Sequence, residues 1–171
     1  MFDSNSCRIT DKLEIEIPAL ARPTIEEIRE KYPWIRSIKY DNSPVKPVTL
    51  VLGTVARSGE IFTTVTEHQE RLRSVNGILG YQHAVWILAN KDKFLDGDYW
   101  CSFSKEFRFK IYMEFSGIRV IGNGGFTNER YPCLVGDDKN IWMLVWFGIH
   151  WHYRDLTSSD SRIALDAAGK A

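Results

Sequence analysis

Neither sign of charge is in excess in this sequence. Lys plus Arg number 22, Asp plus Glu number 22, and the formal net charge is zero. A general nucleic-acid binder usually carries a basic excess that releases counterions from phosphates, and a nucleic-acid mimic an acidic one. Neither class is expected, although a neutral chain can still carry a local patch. Cysteine is scarce as well. Cys7, Cys101 and Cys133 are the full set, with no Cys-x-x-Cys pair. An odd, widely spaced set argues against a secreted disulfide framework and for a reducing, cytoplasmic compartment. Long hydrophobic runs are also missing. The longest, Ile141 to Trp151, is about half the roughly 20 residues that a spanning helix needs. Met1 to Ser6 lacks the basic and then apolar order of a secretory signal. No membrane association is expected.

What is present reads as one α+β domain. The chain has 171 residues, 44% apolar and 26% charged, near the averages for globular domains. The domain is taken as 1–171, with 1–10 and 166–171 as frayed ends. Leu13, Ile15 and Ile17 alternate with Glu14 and Glu16, the period of a half-buried strand. Thr24 and Glu27 have capping-box spacing and open a helix that Pro33 stops. Ile35 to Tyr40 and Val48 to Val55 read as strands. Thr66 and Gln69 form a second capping-box candidate, opening a helix through Arg73. Leu79 to Phe94 reads as one longer helix, with Gly97 after it as a stop signal.

The second half is strand-rich. From Glu106 to Phe115 the alternation is strict, with Phe107, Phe109, Ile111, Met113 and Phe115 facing one way. Glu106, Arg108, Lys110, Tyr112 and Glu114 face the other. Ile118 to Ile121, Tyr131 to Val135 and Ile141 to Phe147 follow as a meander, separated by turns rich in Gly, Asn and Asp. Arg162 to Leu165 adds a short edge strand. The expected fold is therefore a curved antiparallel β-sheet (meander) with about three helices packed on one face.

Chemical motifs are thin. If Ile149 to Tyr153 is extended, His150 and His152 share a face as two metal ligands would, and Asp155 is close enough to join them. That pair supports a metal-dependent enzyme as an alternative function. His83 has Leu79 and Ile87 as its helical neighbours and reads as packed or half-exposed. His68, near Glu67 and Glu70, reads as solvated. Cys101 and Cys133 read as buried thiols, since neither sits at a helix N-terminus or a glycine elbow. Arg108 and Lys110 suggest a nucleic-acid face, but the neighbouring phenylalanines point away from it and Glu106 and Glu114 dilute its charge. Trp142 and Trp146 share a face with Leu144 and read as core. Trp151 and Tyr153, with Arg154, form an aromatic end that suits contact with a protein, because such residues dominate hot spots.

No segment carries a family signature. Leu79-Gly80-Tyr81-Gln82, Arg130-Tyr131-Pro132-Cys133-Leu134 and His150-Trp151-His152-Tyr153 match no motif. The reading is a non-catalytic accessory protein that binds a protein partner through Trp151, Tyr153 and Arg154, with no cofactor. A small, neutral single domain of this kind is common among bacteriophage accessory proteins, which would place it in a bacterial host cytosol. That source is an expectation from base rates. Nothing in the sequence sets the oligomeric state.

Overall fold

Ten strands form among the described residues, the Thr24–Glu27 capping signal opens a helix, and a second helix begins two residues before the position that Thr66 marks. The computed structural model describes residues 7–57, 59–60, 62–94, 111–123, 128–136, 141–148, 153–155 and 161–170. In chain order the elements are β1 (Arg8–Ile17), α1 (Ile25–Lys31), β2 (Ile35–Asp41), β3 (Val48–Thr54), β4 (Phe62–Thr64), α2 (Val65–Arg73), α3 (Tyr81–Ala89) and α4 (Lys91–Phe94). Then come β5 (Ile111–Glu114), β6 (Ile118–Gly122), β7 (Glu129–Gly136), β8 (Trp142–Gly148), β9 (Tyr153–Asp155), β10 (Ser161–Asp166) and a 3-10 turn, Ala167–Lys170. The fold is the α+β arrangement expected, a mostly antiparallel, unclosed sheet with helices. Among the described residues no helix is long and apolar enough to cross a membrane.

The main sheet runs β1-β3-β10-β5-β7-β6-β2, with β8 on the other edge of β7. β5 and β6 lie along the same edge of β7. Glu114 pairs with Cys133 and Val120 with Arg130, so the two act as one strand broken at Phe115 to Gly117. Beyond that break the sheet forks. β10 lies parallel to β5, while β2 lies antiparallel to β6. The segment before α3 fills the fork. Asp166 N donates to Gly77 O (2.8 Å), Leu79 N to Ala164 O (3.0 Å), and Gly117 N to Leu79 O (3.0 Å). Asn42 N donates to Gly117 O (2.8 Å), which closes the stitch to β2.

The fork explains why α3 starts late. Sequence pattern puts Leu79 inside a helix, but both its backbone groups bond across the fork, so the helix begins after Gly80. It ends at Asn90, whose side-chain amide donates to Trp86 O (2.8 Å). The capping box of α1 forms as expected: Glu27 N donates to Thr24 Oγ1 (3.2 Å), and Thr24 N donates to Glu27 Oε2 (2.7 Å). The cap of α2 is Thr64, not Thr66, and it accepts from Glu67 N (3.1 Å). Gln69 cannot serve as the second half of a box because it turns inward to Arg119.

Strand alternation sends β3 into two cores. Leu50 and Leu52 join Met113, Phe115 and Ala84 on the face covered by α3. Val51 joins Ile163, Leu165 and Leu72 on the reverse face, which α2 covers. α1 packs through Ile28 onto Ile118, Val120 and Trp146. Arg162 to Leu165, expected at an edge, is interior: Ile163, Ala164 and Leu165 are all buried, between β3 and β5. β1 begins at Arg8, inside the stretch read as frayed, with Cys7 buried against it.

β1 holds one unfavourable backbone position. Between Asp11 and Ile15 it advances four residues while β3 advances two, from Leu52 to Leu50, and in this bulge Glu14 has φ 53°. A left-handed non-glycine residue costs about 1–2 kcal/mol, part of which glycine regains and part of which it loses to unfolded-state entropy. Glu14→Gly should therefore raise stability by about 0.5–1 kcal/mol, read as a higher urea midpoint. An unchanged or lower midpoint would show that the bulge is not strained.

Candidate functional site

On the face covered by α2, the strand alternation that buries Met113 and Phe115 sends Glu114 and Ser116 the other way. The sequence pattern puts Glu114 toward solvent. The covering helix instead leaves it 1% exposed, beside His68 at 3%. His68 is thus not the solvated helix position expected: its Nε2 lies 3.6 Å from Glu114 Oε2. The correction has a simple cause, since a helix laid across a sheet face buries whatever that face carries.

α2 is held there by one arginine. Arg71, 4% exposed, donates through Nη1 and Nη2 to the two Glu60 oxygens (2.6 Å each), to Glu67 Oε1 (2.6 Å) and to Val55 O (3.0 Å). A bidentate guanidinium–carboxylate fork fixes direction as well as distance. The Arg71 hydrogen bond holds the Glu60 carboxyl down to about 2, against the opposing effect of burial. Leu72, next in the helix, inserts into the reverse-face core.

Beside α2, at the mouth of the fork, lies a cavity of about 470 Å³. Its polar wall includes Gln69 from α2, Ser116 from the β5–β6 break, Arg119 from β6, and Lys39 and Tyr40 from β2. Leu72, Val75 and Ile78 supply the apolar wall. Arg119 is 7% exposed. Its Nη1 donates to Glu129 Oε2 (3.3 Å), its Nη2 donates to Gln69 Oε1, and its guanidinium lies 5.4 Å from the centre of the Tyr40 ring. Lys39 donates to the same Glu129. Burial works against ionising Glu129, yet the Lys39 bond and the two cations keep its carboxyl below the usual range.

Three buried atoms of these residues, Arg119 Nε, Gln69 Nε2 and Ser116 Oγ, have no hydrogen-bond partner among the described residues. The orientation of Gln69 follows from its neighbour, because a guanidinium can only donate and so takes the amide oxygen. A buried unsatisfied polar group costs about 1–3 kcal/mol.

The histidine and cysteine expected to be inert are sealed. His83 is 0% exposed and Cys133 1%. Burial pushes the Cys133 thiol well above its ordinary value. Trp142 and Trp146 are core as expected, at 6% and 8%.

Other expected sites lie outside the described residues: His150, Trp151, His152, Arg108, Lys110 and Cys101. Of Tyr153, Arg154 and Asp155 only the backbone is described. It forms β9, which pairs with β4 as a two-stranded sheet, Thr64 opposite Tyr153 and Phe62 opposite Asp155. Among the described residues, no three His, Cys, Asp or Glu side chains gather as a metal site would require. The cavity itself escaped sequence reasoning because its wall spans Lys39 to Arg119. The one available signal was a lone charge, Arg119, inside the apolar strand Ile118 to Ile121. Compared with known families, with curated proteins and with solved structures, the chain matches none.

Proposed function

We propose that this protein acts by binding rather than by catalysis, and that the cavity beside α2 is where it takes a small ligand. The observation that carries this reading is the cavity itself, of about 470 Å³, with Lys39, Arg119, Gln69 and Ser116 on one wall and Leu72, Val75 and Ile78 on the other. The described wall offers cations, amides and hydroxyls. The groups that most often move protons, His68 and Glu114, do not line it, and His83 and Cys133 are sealed in the cores.

Ser116→Ala tests the reading in two directions. Removing an unsatisfied hydroxyl should raise the stability of the free protein by about 1 kcal/mol. The same change should weaken any ligand that raises the wild-type melting temperature. A screen in which no small molecule stabilises the wild type more than the variant would overturn the proposal.

A second reading keeps the protein partner that the sequence suggests. β8, which leads toward Trp151, has no charged residue, and Met143 is 52% exposed on it. Such an apolar strand invites contact with another chain. A phage-encoded accessory protein engaging a host protein through Trp151, Tyr153 and Arg154 fits that reading. A pull-down from bacterial lysate with wild type and Trp151→Ala checks it, and an identical set of captured proteins would remove Trp151 from that role.

A further inference from the structure

Three strands of the main sheet have a described neighbour on one side only: β1, β2 and β8. An open edge presents a row of backbone donors and acceptors, and natural sheets block such edges with charge or with bulges. β1 and β2 have both protections. β1 carries Arg8, Asp11, Lys12, Glu14 and Glu16, and its register against β3 shifts at two points. β2 carries Arg36, Lys39 and Asp41, and its register against β6 shifts at two points. β8 has neither. Its seven residues hold no charge, and it pairs with β7 without a shift from Trp142 to Gly148.

The side chains of β8 fit a second copy of the same strand. Trp142 and Trp146 point into the cores. On the other face Val145 and Phe147 pack beside Tyr131 and Cys133, while Met143 is 52% exposed. An antiparallel two-fold contact through Val145 sets Met143 opposite Phe147 of the second copy, and Trp142 opposite its Gly148. The exposed thioether then lies against a ring, and the largest side chain of the strand faces the smallest residue. Gly136 already takes Trp142 in this way inside the chain. The two pair across β7 and β8, with ring atoms 2.7 Å from where a Gly136 Cβ would lie. Charge favours a copy as well. A strand paired with itself meets its own charges again, and β8 has none to repel. The whole chain carries equal numbers of acidic and basic residues, so two copies approach without net repulsion.

We propose that β8 is the interface of a homodimer in which two main sheets join edge to edge, antiparallel about Val145. The inference deepens the second reading and rests on it: β8 meets another chain, and that chain is a second copy. The test is sedimentation of the full chain between about 1 μM and 1 mM, the range suited to a small contact, with amide exchange followed at both ends. The wild type should pass from monomer to dimer, and the β8 amides should exchange more slowly in the dimer. Met143→Lys should weaken the dimer by at least about tenfold, because a two-fold axis repeats each lost cross-strand pair. Val45→Lys is the control. It makes the same change in charge at an equally exposed residue outside the sheet, also 52% exposed, and should leave the dimer intact. Both positions are open to water, so both variants should fold. A chain that stays monomeric at the highest concentration would overturn the dimer; a protein captured from lysate by the wild type and lost with Trp151→Ala would then keep the second reading without it. A dimer that the two lysine variants weaken equally, or one with no slowing at β8, would place the contact elsewhere and overturn the proposal.

Discussion

Replacing Gly117 with alanine should cost about 3–5 kcal/mol and leave the chain at the limit of folding. The added Cβ would lie 2.3 Å from Ile78 O and 2.8 Å from Leu79 O. Both are backbone atoms, so no flexible side chain can swing away. Nor can the segment retreat, because Leu79 N is tied to Ala164 O and Ile78 bridges to Leu165. Gly117 itself is held on both sides, donating to Leu79 O and accepting from Asn42 N. Gly59→Ala is the control. Its Cβ would meet nothing within 4 Å, and only its φ of +76° opposes the change, for about 1 kcal/mol. Urea midpoints for the two variants would decide the matter. A Gly117→Ala protein as stable as Gly59→Ala would mean that the fork is looser than its bonds imply.

Stability should also fall steeply as the medium is acidified below neutrality, and His83 should be the reason. Burial lowers the pKa of its imidazole to about 4, although the carboxylate of Asp166 pulls the other way. Its Nδ1 accepts from Gly80 N (3.1 Å) at the start of α3, so the proton of the neutral ring is on Nε2. Protonation would have to take the lone pair that caps the helix. The unfolded chain binds this proton near pH 6.5 and the folded chain only near 4. The unfolded state therefore holds more protons between those values, and stability is lost as pH falls through that window. At about 1.4 kcal/mol for each pH unit the full loss is about 3 kcal/mol. Glu60 contributes separately and lower, its stabilisation disappearing as pH falls toward about 2. His83→Gln provides the check, since a glutamine oxygen can still accept from Gly80 without titrating. Its stability should be nearly flat from pH 6.5 to 5. A slope equal to that of the wild type would assign the proton elsewhere.

The two expectations draw on very different amounts of sequence information. That His83 would be packed or half-exposed was legible from Leu79 and Ile87, its apolar neighbours along the helix; its complete burial was not. Gly117 reads from sequence as an ordinary turn. Nothing near it reveals that Leu79 will pass close enough to exclude a methyl group, because that contact joins positions far apart in the chain. The same limit explains the late start of α3. Periodicity extends the helix back to Leu79, yet backbone hydrogen bonds across the fork are worth more there than one further turn. Thr64 against Thr66 is a finer case. The sequence reading took Thr66, but Glu67 N donates to Thr64 and Gln69 turns inward to Arg119.

The site was the least legible part. His68 and Glu114 each sit in a polar local context that predicts exposure. Both are buried because α2 crosses the sheet face that carries Glu114, and local sequence does not say which face a helix will cover. Arg119 differs from its apolar neighbours, but a lone arginine in a strand is more often solvated than inward-facing. The aromatic and histidine segment from His150 to Asp155 was the brightest chemical feature in the sequence, and its His150, Trp151 and His152 lie outside the described residues.

Local pattern alone determined that Leu13 to Ile17, Val48 to Val55, Ile118 to Ile121, Tyr131 to Val135 and Ile141 to Phe147 would form strands, and the Thr24–Glu27 pair determined where α1 would begin. These are properties of neighbours, settled by side-chain period and by a cap four residues long. The fork, the interior position of β10 and the meeting of Gln69, Ser116 and Arg119 were decided only in three dimensions. Each depends on which strand pairs with which, and that choice belongs to the whole core, where burial of two apolar faces at once outweighs the preference of any one segment.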